Sequence, residues 1–169
     1  MVSLASHAIE KPASHATAPV LKVLAIIDGT ERAGRVIDYA LGLKGRGYRL
    51  QVVVLGVVPE PPTERLRGYG SFKQAEIYDG LKERLRERAV ASVARRLDQE
   101  KIAHVDRIEV GDPVKTILRV AGEEGVDLIL LGDGPPSVVQ RMLPSIGLAL
   151  ATITGQVVQR ATMPVVVVK

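Results

Sequence analysis

Two apolar runs end in residues suited to holding an anion. VLKVLAIIDGT ends on Asp28, Gly29 and Thr30, and VDLILLGDG ends on Gly132, Asp133 and Gly134. The second run feeds a loop, PPSVVQRMLPSIGLALA, that leads into an expected helix. Open α/β folds put phosphate-binding loops in this position. Glycines let backbone N–H groups approach phosphate oxygens, and a helix N-terminus adds its dipole. This loop is unusual for that task. It carries an acid at Asp133 and adjacent prolines at Pro135 and Pro136, and a proline removes a donor outright.

Other chemistry has less to work with. The chain has no cysteine, which excludes thiol nucleophiles, disulfides and cysteine metal sites. His7 and His15 fall in a tail rich in Ala, Ser and Pro and are read as tail residues, not a metal pair. His104 opens an expected strand and is read as an edge residue, not a base. No Ser-His-Asp arrangement or carboxylate pair follows from the spacing. No catalytic or metal-ligating residue is therefore assigned, and the protein is expected not to be an enzyme, with weak ATP hydrolysis only if a nucleotide is bound.

The elements that would position these residues follow from pattern. With 169 residues, 46% hydrophobic and 25% charged, the chain has the size and composition of one globular domain. Residues 1 to 19 show no periodicity and are expected to form a mobile arm, leaving 20 to 169 as the domain. Residues 21–27 read as a buried strand. Thr30 is the expected cap of a helix through Ala33, Val36, Ile37 and Ala40. LQVVVLGVV is a second strand. From about Lys73 to Glu100 one helix is expected, with Ile77, Leu81, Leu85, Ala89, Val93 and Leu97 as its core stripe. A third strand spans about 105–110. Asp112 caps the next helix, Pro113 opens it and Gly125 ends it. VDLILLG, a helix running to about Arg160, and PVVVVK complete the order β-α-β-α-β-α-β-α-β, which implies a parallel sheet with helices on both faces.

Net charge is +4, much of it in a tract where arginines alternate with glutamates. That tract reads as a solvated face laced with ion pairs, with no specific nucleic-acid partner. Aromatics at 3% offer no stacking platform for single strands. No apolar run approaches a membrane span, and the first residues lack a signal-peptide pattern, so the expected location is the cytoplasm with no membrane partner.

Three segments together resemble the universal stress protein family. IIDGTERAGRVIDYALGL is similar to its opening strand and helix. EVGDPVKTILRVAGEEGVDLILLG resembles its "G-D-P…I…A…D-L-I-V-M-G" segment, and ATMPVVVVK its closing strand. The resemblance implies a Rossmann-like α/β fold, an open five-stranded sheet in the order 3-2-1-4-5, with Asp28 and Gly132 facing each other across the switch point. It implies an adenine nucleotide such as ATP, with magnesium if one is bound. Asp28 would contact the adenosine part, the backbone at 56–58 would lie near the base, and a "G-x2-G-x9-G-[ST]" loop would wrap the phosphates. The candidate nucleotide contacts are then Asp28, Gly29, Val57, Leu131, Gly132, Gly134 and one of Ser145 or Thr152.

The loop departs from that pattern. Gly132 matches the first glycine, Pro135 stands at the second, and Gly134 lies one residue earlier. Counted forward, Ser145 takes the hydroxyl position behind Pro144. Counted back from Pro164, Thr152 takes it behind Ala151. The difference is an insertion, SIGLALA, of about two helical turns or roughly 10 Å of rise. The expected protein is a regulatory or binding module whose nucleotide loop is degenerate, and the alternative is an ATP-binding protein with slow hydrolysis. An apolar edge strand invites pairing with a second chain, so Val165, Val166, Val167 and Val168 are the candidate homodimer interface.

Overall fold

The computed structural model describes residues 19–60, 71–133 and 153–169, without the side chains of residues 71 and 72. The elements are β1 (Val20–Ile27), α1 (Glu31–Gly45), β2 (Arg49–Val58), α2 (Ser71–Leu85), a π-helical turn (Arg86–Val90), α3 (Ala91–Gln99), β3 (Ala103–Val110), α4 (Pro113–Glu124), β4 (Leu128–Gly132), α5 (Ile153–Arg160) and β5 (Val165–Val168). The five strands form one parallel sheet in the order β3-β2-β1-β4-β5. Most of the expected arm, residues 1–18, lies outside the described residues. Among the described residues no helix is long and apolar enough to cross a membrane.

Period-two alternation splits the sheet between two cores. Val23, Ala25 and Ile27 of β1 with Val52 and Val54 of β2 pack under α1 and α3, against Val36, Ile37, Ala40, Val93 and Leu97. Leu24, Val53, Leu55, Ile129 and Leu131 point the other way, under Val114, Ile117 and Val120 of α4 and Val157 of α5. Strands buried on both faces need continuous apolar runs, as β1, β2 and β4 have.

The helix ends follow their chemistry. The Thr30 side chain accepts from the Arg32 N–H, the Asp112 carboxylate accepts from the Lys115 N–H, and Gly125 closes α4 at φ 57°. β3 begins two residues earlier than its apolar pattern suggests, because Ala103 and His104 pair with Gln51 and Val52.

The long helix is not one piece. A row at spacing four gains about 40° per step in a 3.6-residue helix, so Ile77 to Leu97 drifts by about 200°. The π-helical turn at 86–90, where the Ala91 N–H donates to the Arg86 carbonyl, takes back part of that drift. The row is therefore core only in its second half. Ala89, Val93 and Leu97 are buried, whereas Ile77 is 36% exposed.

Charges cover what apolar residues leave open. Arg107 on the edge strand β3 reaches Glu109, Glu123 and Glu124, Arg119 joins Glu109 and Glu123, and Lys22 joins Glu124. Hydrogen bonds hold all three carboxyls below their ordinary range, led by Arg107 at Glu109, Arg119 at Glu123 and Lys22 at Glu124. The arginine-rich tract likewise carries ion pairs, Lys82–Asp79, Arg86–Glu83 and Arg96–Asp38.

Candidate functional site

The strand order reverses between β1 and β4. The helix following β1 packs on one face of the sheet and the helix preceding β5 on the other, which opens a crevice at the carboxyl ends of these two strands. The pairing shows where it opens. β1 stays with β2 through Ile27–Gly56, and β4 stays with β5 through Gly132–Val168, but β1 and β4 part after Ala25–Leu130.

The register also assigns the backbone donors. The Ile129 and Asp133 N–H groups donate to the Pro164 and Val168 carbonyls at 3.0 and 2.7 Å. Directions alternate along a strand, so Gly132 turns its N–H toward β1 and the crevice. The next donor, at Asp133, is already engaged by β5.

Asp28 lies just beyond β1 and is held by its own neighbourhood. One carboxylate oxygen accepts from the Thr30 N–H at 3.1 Å and the Thr30 hydroxyl at 2.6 Å. The other accepts from Arg32 Nη2 at 2.6 Å. The Thr30 hydroxyl oxygen in turn accepts from the Arg32 N–H and from Arg32 Nε, at 3.3 and 3.0 Å. The Arg32 stem then runs over Gly132. A Cβ added to Gly132 would stand 2.7 Å from the Cβ of Arg32 and 3.5 Å from its carbonyl oxygen. A single side chain thus joins the two residues that end the switch-point strands.

The other side of the crevice is covered by Leu85. A Cβ at Gly56 would lie 2.7 Å from Leu85 Cδ2, and one at Gly29 would lie 3.6 Å from Ala89 Cβ and 4.0 Å from Leu85 Cδ1. One turn along α1, Arg35 donates through Nη2 to the Asp133 carbonyl at 3.1 Å, and its buried Nε has no partner among the described residues.

Of the candidate contacts, Asp28, Gly29 and Gly132 come together here. Leu131 is buried and Val57 partly buried in the core under α4, so they face the crevice only as backbone. Gly134, Pro135, Ser145, the SIGLALA segment and Thr152 lie outside the described residues, and with them the choice between Ser145 and Thr152. Arg32 and Arg35 did not emerge from the sequence, and Leu85 did so only as a member of the core stripe. The one available signal was Arg32 standing four residues after Asp28, the spacing of an acid–base pair on a helix.

His104 lies at the opposite end of the sheet, on the edge strand, with Nδ1 3.3 Å from the Ile102 carbonyl oxygen and Asp98 and Asp106 at 3.8 and 3.9 Å. Burial raises the Asp106 carboxyl above its ordinary value. Among the described residues no three His, Cys, Asp or Glu side chains gather closely enough to hold a metal ion. A groove of about 180 Å³ lined by Pro19, Arg46, Gly47 and Tyr48 also sits at that far end. It is smaller than the roughly 300–1,000 Å³ of ordinary ligand sites.

Comparison with known proteins matches a model of the universal stress protein family to residues 19–169. The universal stress protein MJ0577 of Methanocaldococcus jannaschii is 27% identical over 130 residues, 70% of this chain and 76% of the relative. The solved structure of MJ0577 superposes with a TM-score of 0.70 at 24% identity, covering 88% of this chain and 95% of that one. Universal stress protein UspA from Lactobacillus plantarum gives 0.62 at 22%, covering 88% and 97%. A universal stress protein from Archaeoglobus fulgidus, solved in complex with dAMP, gives 0.53 at 18%, covering 89% and 98%.

Proposed function

The chain belongs to the universal stress protein family, and on that footing we propose that it is a cytoplasmic, homodimeric binding or regulatory module whose switch-point crevice takes an adenine nucleotide weakly and without efficient turnover. The observation that carries this reading is the crevice itself. Gly132 ends β4 and Asp28 follows the last residue of β1 where the order reverses, and β1 and β4 part before reaching them. A relative of the same fold solved with dAMP supports an adenine compound as the ligand class.

The residues fit such a ligand in part. A carboxylate and an inward N–H stand where the family resemblance puts adenosine and the first phosphate contact. Against that, the Asp133 N–H serves β5, the carboxylate serves Arg32 and Thr30, and Leu85 lies over Gly56. Each charge-assisted bond denied to a ligand is worth about 1.5–3 kcal/mol, so the reading is weak binding. Homodimerisation is proposed through β5, which lies at the sheet edge with its four valines only partly buried.

Titration of isotope-labelled protein with AMP tests the site. The expected amide shifts fall at residues 28–30, 56–58 and 131–133. Shifts confined to the far end of the sheet, around residues 46–48, would reject it.

A further inference from the structure

We propose that Arg32 is the crevice's own occupant, a side-chain plug that an adenine compound must displace, and so the residue that sets this site's affinity. The inference rests on the crevice being an adenine-nucleotide site and deepens that reading.

The geometry is specific. Arg32 closes the parting between β1 and β4 from both directions, with its stem on Gly132 and its guanidinium on Asp28. Thr30 completes the arrangement. Its hydroxyl donates to Asp28 and accepts from Arg32 Nε, so Thr30 bridges the carboxylate and the guanidinium. The Arg32 side chain is 13% exposed and that of Asp28 30%, so the pair is partly withdrawn from water, where such bonds are stronger than on an open surface. A ribose hydroxyl or base nitrogen reaching Asp28 offers a neutral donor in place of a charged one, which is the weaker exchange. At Gly132 the nearest Arg32 atom is Cβ, which α1 fixes, so the movable part of the plug is the guanidinium on Asp28. A ligand that bonds the Asp28 carboxylate must displace that guanidinium first. Its affinity is then reduced by the fraction of molecules in which the plug is out.

Adenosine is the probe that separates this from the state of the phosphate loop, because it has no phosphate. Full-length protein and its Arg32→Ala variant should be titrated with adenosine by calorimetry, with thermal unfolding confirming that the variant folds. The expected result is binding about tenfold tighter in the variant, which is about 1.4 kcal/mol. Arg32→Gln, which keeps the stem and loses the charge, should fall between the two and serves alone if the alanine variant does not fold. In the unmodified protein, saturating adenosine should speed water exchange of the Arg32 Nε–H. Unmodified protein that binds adenosine as tightly as the variants would overturn the plug and leave the nucleotide site standing. A variant that leaves adenosine unchanged but weakens ATP would also overturn it, making Arg32 a phosphate ligand instead. Failure of all three proteins to bind adenosine or AMP would overturn both the plug and the site.

Discussion

The β5 register predicts opposite effects for proline at two adjacent valines. Pro164 and Val168 direct their carbonyls to β4, accepting from Ile129 and Asp133. Alternation then turns Val166 toward β4 as well, and turns the N–H and C=O groups of Val165 and Val167 to the open edge. Proline at Val166 removes a donor from the β4 ladder and strands the carbonyl of Ile129, a fully buried residue. That costs about 1–3 kcal/mol in each protomer. For a chain of this size it lowers the melting temperature by about 2–12 °C. Proline at Val167 removes only an outward donor, as edge strands tolerate, and leaves the protomer nearly as stable. In a two-fold dimer each lost edge bond counts twice, so about two bonds disappear. At about 0.5–1.5 kcal/mol each, the dimer weakens by about 1–3 kcal/mol, or about 5- to 150-fold. Light scattering across a dilution series, with thermal melts alongside, reads both quantities. A Val167→Pro protein that melts like the unmodified chain yet stays equally dimeric would refute strand pairing through this edge, and a monomeric unmodified protein at micromolar concentration would refute the dimer.

Further expectations concern the crevice walls and the charged network. Gly132→Ala meets Arg32 at its Cβ, close to the α1 backbone, whereas Gly56→Ala meets side-chain atoms alone, the branched end of Leu85 and Val90 Cγ2. Urea unfolding should therefore show a loss of about 1–3 kcal/mol for the first and less for the second, and equal losses would contradict the packing. Glu109, Glu123 and Glu124 bind protons less readily folded than unfolded, so their contribution is present above the unfolded carboxylate pKa of about 4.3 and is lost as pH falls through the depressed folded values. Arg107→Met should flatten that acid limb, with the gap from the unmodified protein widest near neutrality and closing in acid. An unchanged limb would show that the network does not set acid stability.

Most of the fold was legible because its strands and helix ends announced themselves locally. Uninterrupted apolar runs mark strands buried on both faces, and Thr30, Asp112 and Gly125 stand at helix ends where short-range hydrogen bonding decides the outcome. The helix from Lys73 to Glu100 was less so. Spacing four looks like a stripe in sequence, but the accumulated drift is resolved only when β2 and β3 select which turns to bury, leaving Ile77 out and a π-helical turn in the middle. Asp28 and Gly132 could be found as strand ends. Arg32 could not, because its role depends on β1 and β4 parting after Ala25–Leu130, a feature of strand pairing that no local pattern carries. The Leu85 contact with Gly56 is hidden for the same reason. Leu85 reads as an ordinary core residue until the last pair of β1 with β2, Ile27–Gly56, is known to lie beneath it.

Calorimetric titration of the full chain with ATP in the presence of magnesium bears most directly on the account. A micromolar site deprived of two charge-assisted bonds, at about 1.5–3 kcal/mol each and about 1.4 kcal/mol per decade, moves to a dissociation constant of about 0.1–20 mM. The dissociation constant should fall in that range, and adenosine should displace bound ATP from the same site. A dissociation constant in the low micromolar range would contradict it, because Asp28 and the backbone beyond Gly132 would then have to serve the nucleotide despite Arg32 and β5.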